Sequence, residues 1–318
     1  MTIQSFPPVA RALRLALMVS LVGACGRSHD RPAAAAATPD TEIEVVDVGL
    51  ATPESVLYDA TADVYLVSNI NGSPFGEDDN GFISRLSPAG EVLDLTWIDG
   101  ADEGTTLNAP KGMAIVGDLL YVTDLTVVRK FDRISGAPLG EIVVPGAGFL
   151  NDLAPAADGG VWLTDSGLEQ GAEGFVPSGT DAVYHITPAG DIHTVMADTA
   201  LGRPNGVTTL GDDAWVVSFG SGELYRIGDG MSDVVKLPTG VLDGIEVIGS
   251  EFLISSWEGQ SVLQGPPSGP FRTVVTGVPG PADIGYDAGR NRVLIPLFQD
   301  DAVRIVPLGA GDDESTGD

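Results

Sequence analysis

Two stretches decide the fold: Asn205–Phe219, NGVTTLGDDAWVVSF, and Asp243–Trp257, DGIEVIGSEFLISSW. Each opens on a polar residue and glycine, alternates apolar and polar residues, turns at a Gly-rich pair and continues as a second apolar run. Alternation of period two across a tight turn is the signature of a β-hairpin. The same pattern starts at Glu54 (ESVLYDATADVYLVSN), Lys111 (KGMAIVGDLLYVTD), Asn151 (NDLAPAADGGVWLTDS) and Ala282 (ADIGYDAGRNRVLIPLF), so the six copies begin 57, 40, 54, 38 and 39 residues apart. A third run follows each copy, as in FISRLSP at 82–88 and AVYHITP at 182–188. A fourth usually follows that, as in EVLDLTWI at 91–98.

Four short strands repeated six times predict an all-β, six-bladed β-propeller over residues 41–308. A lone four-stranded sheet cannot bury both faces, whereas six sheets around an axis cover one another and leave only short edges. The sixth copy lacks a fourth strand, and TEIEVVDVG at 41–49 precedes the first copy. The N-terminal strand is therefore expected to complete the last blade and close the ring. No amphipathic run of helical length supports an α/β alternative.

The 318 residues carry 45 acidic against 16 basic side chains, a formal charge of −29. That excess excludes a nucleic-acid backbone as partner and disfavours docking on anionic lipid through a basic face. A monomer acting on a small molecule is expected. Arg11 and Arg14, the apolar run 15–22 and Gly23-Ala24-Cys25 read as a leader over residues 1–24. The run is too short to span a bilayer. Cys25, the single cysteine, follows a lipobox-like Val22-Gly23-Ala24. The resemblance to bacterial lipoproteins implies lipidation of Cys25, a flexible tether over 25–40, and a periplasmic or outer-membrane location. The acidic tail 309–318 is expected to be disordered.

In a propeller the innermost strands line the central channel, so the repeat starts Glu54, Lys111, Asn151, Asn205, Asp243 and Ala282 converge at one mouth. Four of the six offer oxygen: two carboxylates and two carboxamides. Such a set suits a hard cation, with Ca²⁺ the first choice and Mg²⁺, Mn²⁺ or Zn²⁺ alternatives. None of the histidines (His29, His185, His193) falls at a repeat start.

Pro53-Glu54, Leu150-Asn151-Asp152, Pro204-Asn205-Gly206 and Leu242-Asp243-Gly244 resemble, in order and by blade, the gluconolactonase, senescence marker protein and luciferin-regenerating enzyme family. The resemblance implies a divalent metal held by Glu54, Asn205 and Asp243, with Asn151 a ligand or a substrate contact. It implies hydrolysis of a lactone or related cyclic ester, with Asp243 as general base. The chain departs from the sugar-lactonase pattern at Phe149, where those members tend to carry arginine, which points to a more apolar substrate. Lys111, at the second-blade position, would bind a carboxylate product or steady an oxyanion, or else snorkel to the surface.

Two other readings stay open. The Asn-Gly and Asp-Gly pairs are common turn dipeptides, so the ring would be structural in a propeller that binds a ligand or protein without catalysis. A third is a propeller enzyme with a degenerate ring, similar to strictosidine synthase. Asn69, Asn71, Asp124, Asp165, Ser166, Trp257 and Asp283 are further candidates for the mouth, with Trp257 and Phe298 expected to pack between blades rather than to form a substrate platform. The insertions 71–81 and 168–180 are expected to overhang the channel.

Overall fold

The structure, a computed structural model, describes residues 41–172 and 174–309. The leader, the tether with Cys25, and all of the acidic tail except Gly309 lie outside the described residues.

Six four-stranded antiparallel sheets form the six blades. Their innermost strands are Pro53–Asp59, Pro110–Val116, Leu150–Pro155, Pro204–Leu210, Leu242–Ile248 and the short Gly285–Asp287. In the first five blades the four strands follow in chain order; in blade three a two-stranded hairpin, Leu168–Gly171 with Gly174–Pro177, is inserted after the second strand. The sixth sheet takes its outermost strand from Ile43–Val45, which pairs with Ala302–Pro307 through Ile43–Ile305, Glu44–Arg304 and Val45–Val303. First and last blades are thus joined by strand pairing, and Arg304 adds an ion pair to Glu42.

The apolar alternation of each strand is spent between neighbouring sheets. One cluster combines Leu66 and Ile83 of blade one with Met113 and Val122 of blade two. Another joins Leu294 and Val303 of blade six to Val56 and Tyr65 of blade one. Four more clusters fill the remaining interfaces in the same way. Each blade therefore gains its core from both neighbours, the physical reason for six repeats rather than one. Among the described residues the one helical element is a single 3-10 turn, Thr199–Leu201, capped by Asp198.

The innermost strands carry the feature that shapes the site. Five of them lose register with their second strand at the repeat start: between Pro53 and Ser55, Pro110 and Met113, Leu150 and Leu153, Pro204 and Val207, and Leu242 and Ile245. A bulge inserts an unpaired residue and re-aims its side chain. Here the displaced residues are Glu54, Lys111, Asn151, Asn205 and Asp243. The glycines that follow three of them serve spacing, not turning. A Cβ on Gly244 would lie 2.8 Å from Asp283 Cα and overlap the Ile284 backbone nitrogen. One on Gly206 would lie 3.0 Å from Ile245 N and overlap the Asp243 carbonyl. The Asn-Gly and Asp-Gly pairs thus sit inside strands, where neighbouring blades meet at the axis, and a turn reading of them is incorrect.

Candidate functional site: an oxygen ring under an aromatic cup

Glu54, Lys111, Asn151, Asn205 and Asp243 are all buried and line one cavity of about 150 Å³ at one mouth of the channel. Each of the four oxygen-bearing residues leaves one side-chain oxygen without a hydrogen-bond partner: Glu54 Oε2, Asn151 Oδ1, Asn205 Oδ1 and Asp243 Oδ1. Buried polar atoms are paired in the great majority of cases, so four orphans in one small cavity call for a common partner. The other ends of two of these groups are fixed. Asn151 Nδ2 donates to Ser166 Oγ at 3.1 Å, and Ser166 donates to the Pro204 carbonyl at 2.7 Å. Trp257 Nε1 donates to Asp243 Oδ2 at 2.7 Å. These bonds settle which oxygen of Asn151 and Asp243 is left over.

The electrostatics tell the same story. Desolvation, and then the Asp243 and Asp283 charges, push the Glu54 carboxyl well above its usual range, against the opposing pull of Lys111. Desolvation and the Asp283 charge push Asp243 up to about 8, although hydrogen bonds from Trp257 and Asn205 pull it down. Two carboxylates so placed resist ionising together unless a cation lies between them. The orphaned oxygens and the donor chemistry fit a hard divalent cation. Among the described residues no group of three or more His, Cys, Asp or Glu is placed to hold a metal; the ring's oxygens come from two carboxylates and two carboxamides.

Lys111 is only 1% exposed, which overturns a surface role for it. Its Nζ donates to the Ala109 carbonyl at 3.1 Å and lies 4.3 Å from the centre of the Phe149 ring. Burial lowers its pKa to about 8, with Glu54 acting in the opposite sense. Ala282, the sixth repeat start, is buried and brings no functional group.

Above the ring the cavity wall is apolar. Ile70, Phe219, Trp257 and Phe298 line it from four different blades, each one residue past the end of its second strand. Their backbone N–H groups bond the carbonyls of Thr52, Arg203, Val241 and Gly280 at 3.1, 2.9, 3.0 and 3.1 Å. Trp257 stands 6.0 Å from Phe219 and 5.3 Å from Phe298, ring centre to ring centre. Trp257 and Phe298 thus pack between blades, as expected of them, and line the cavity as well. Pro74 of the first insertion and Leu168 and Phe175 of the inserted hairpin complete the wall. Phe75, Phe149 and Phe175 form a three-ring cluster with centres 5.0 to 6.0 Å apart.

The other polar candidates have structural work. Asp165 accepts from the backbone N–H groups of Gly148, Phe149 and Gly167. Asp124 does the same for Asn108 and Ala109 and pairs with Arg129. Asn69 accepts from Ala51 N, and Asn71 ties its loop to the Asn80 carbonyl. Asp283 faces the opposite end of the channel, where a larger cavity of about 410 Å³ is lined also by Asp152 and Glu246. There Ser55 Oγ donates to Asp283 at 2.5 Å and Val207 N to Asp152 at 2.7 Å. Asp283 and Asp152 thus have partners, whereas each ring residue keeps one buried oxygen without any, so the smaller cavity is the candidate site. Ile70 and Phe219 escaped the reading of the sequence, although the repeat phase just past the second strand was an available signal; Pro74, Leu168 and Phe175 fall in the two insertions expected to overhang the channel.

No protein-family model matches the chain. Over 175 residues, 54% of its length, it is 29% identical to virginiamycin B lyase of Nocardia farcinica, and the match spans 57% of that protein. Its fold is similar to a gluconolactonase from Xanthomonas campestris, at 20% identity and a TM-score of 0.65, covering 84% of this chain and 89% of that one. It is similar too to a catalytically inactive histidine-to-alanine variant of virginiamycin B lyase from Staphylococcus aureus with quinupristin, at 16% identity and a TM-score of 0.55, covering 84% and 99%. The chain is thus a six-bladed β-propeller like those of a gluconolactonase and of virginiamycin B lyases.

Proposed function

We propose that this protein is a divalent-cation-dependent hydrolase that opens a lactone or related cyclic ester at the ring, with calcium the cation best suited to its oxygens. The reading rests on one observation above all: four buried oxygens without partners, from four blades, in one cavity. Glu54, Asn151, Asn205 and Asp243 would hold the cation. When bound it supplies Lewis-acid polarisation of the ester carbonyl.

The chain's own groups account for the rest. Trp257 fixes the Asp243 carboxylate through Oδ2, and that carboxylate is placed to take a proton from the attacking water. The water oxygen bonds to the carbonyl carbon, the ring C–O bond breaks, and the departing alkoxide receives the proton from Asp243, giving a hydroxy acid. The Lys111 ammonium, held by the Ala109 carbonyl beside Phe149, is placed to stabilise the developing oxyanion or the product carboxylate. The aromatic walls keep bulk water away. Export as a lipoprotein anchored through Cys25 belongs to the same proposal.

Similarity to virginiamycin B lyase supports a second reading, ring opening by elimination. A histidine is needed in the Staphylococcus aureus lyase, as the inactivity of its alanine variant states. Among the described residues the histidines, His185 and His193, sit opposite each other on the third and fourth strands of blade three, away from the ring, which favours hydrolysis. The test is metal analysis of the purified propeller, followed by turnover of a lactone panel in H₂¹⁸O. The hydrolase reading expects about one divalent ion per chain, ¹⁸O in the product acid, and at least a hundredfold loss of kcat in Asp243→Asn. An olefinic acid without ¹⁸O would establish elimination. Unchanged hydrolysis in Asp243→Asn would remove the general base.

A further inference from the structure

The walls of the ring cavity say what the ester must look like. Among the described residues, the wall side chains carry a single hydrogen-bonding group, the Trp257 indole N–H, and Asp243 already takes it. The wall backbone is no freer: the N–H groups of Ile70, Phe219, Trp257 and Phe298 bond carbonyls of their own blades, and that of Phe149 bonds Asp165. The unpaired side-chain oxygens of this site are confined to its floor. The cavity of about 150 Å³ is the size that holds one benzene-like guest.

We infer that the substrate is a lactone whose ring or fused ring is apolar and free of hydroxyl groups, bound with its carbonyl toward the oxygen ring and its hydrocarbon faces against Phe149, Phe175, Phe219 and Phe298. The inference rests on the hydrolase reading for the word lactone, but the shape and polarity of the guest stand on the cavity alone. A polyhydroxylated sugar lactone would turn several hydroxyls toward carbon. Each buried hydroxyl left without a partner lowers affinity by about fivefold or more, so three of them lower it by about a hundredfold. The apolar ring loses nothing there and gains ring-on-ring contact. Phe175 is the specificity residue most open to test, because it is 48% exposed on the inserted hairpin and no core depends on it.

Two matched pairs of probes separate this inference from the reaction assigned above. Dihydrocoumarin and glucono-δ-lactone are compared as esters, each kcat/KM divided by the hydroxide-catalysed rate of the same compound. The non-hydrolysable 3,4-dihydro-2-quinolinone and gluconolactam are compared by calorimetry on the calcium-loaded protein. The expected results are a preference of at least about a hundredfold for dihydrocoumarin, binding of the quinolinone alone, and an approximately tenfold weaker quinolinone complex in Phe175→Ser. Quinolinone binding without hydrolysis of either ester would uphold the apolar site and overturn the hydrolase reading. Equal or better use of glucono-δ-lactone would overturn the apolar site and leave the hydrolase standing. Binding of neither lactam, or an unchanged quinolinone affinity in a folded Phe175→Ser, would also overturn the inference.

Discussion

Raising the pH should destabilise the cation-free protein, and a divalent cation should abolish that loss. The sign follows from the direction of the shifts. In the unfolded chain Glu54 and Asp243 titrate as ordinary carboxyls near pH 4. In the folded, cation-free ring Asp243 titrates at about 8 and Glu54 is likewise raised, by burial first and by neighbouring carboxylates second. Between those limits the folded state holds more protons than the unfolded one, so stability falls as pH rises. At about 1.4 kcal/mol per pKa unit, the Asp243 shift from 3.8 to about 8 corresponds to about 6 kcal/mol in all, of which about 3 kcal/mol is lost between pH 5.5 and 8. For a chain of this size each kcal/mol moves Tm by about 2–4 °C, which gives a drop of about 6–12 °C. Lys111, lowered to about 8, contributes only above that pH. Asp283, raised to about 7, Glu246, raised to about 8, and Asp152, also raised, add a decline of the same sign from the other cavity, so the ring's share is the difference between wild type and the Glu54→Gln/Asp243→Asn double variant. The assay is a thermal melt from pH 5.5 to 8 in chelator and in millimolar calcium. Calcium should lift the wild-type Tm increasingly toward pH 8 and leave the double variant unmoved. A wild-type Tm in chelator that is flat or rising, or a decline as steep in the double variant, would refute the reasoning.

Three further outcomes follow from the geometry. Gly244→Ala should cost more than about 3 kcal/mol, because its Cβ meets the backbone of blade six; Gly228→Ala, with open space around it, should stay within about 0.5 kcal/mol in the same denaturant titration. Lys111→Met removes the positive charge coupled to Glu54, so calcium affinity by calorimetry should rise by about tenfold; an unchanged or weaker affinity would place the ammonium elsewhere. Asp165→Ala strips acceptors from Gly148, Phe149, Gly167 and Thr180. It should cost about 3 kcal/mol and raise amide exchange at the entry to blade three, with the metal content unchanged.

Much of this site was legible because six-fold pseudo-symmetry converts a repeat phase into a place. Glu54, Asn151, Asn205 and Asp243 share one phase, and the bulge at that phase turns each toward the axis. The glycines beside them were ambiguous in sequence, since a turn and a close approach of backbones both call for glycine. Only the distances to the next blade decide between the two. The neighbouring phases were harder, for a reason that lies in strand geometry. In five of the six blades the last residue of the second strand (Asn69, Asp124, Asp165, Ser218, Ser256) ties down the chain entering the innermost strand, by accepting from its N–H groups or donating to its carbonyls. In four of the six blades the very next residue, Ile70, Phe219, Trp257 or Phe298, is cavity wall. Successive residues of a strand point to opposite faces, so a one-residue difference in phase exchanges a cap for a wall. The polar residues at the strand ends therefore read as mouth residues but cap the chain, whereas the residues one place on line the cavity, Trp257 and Phe298 while also packing between blades.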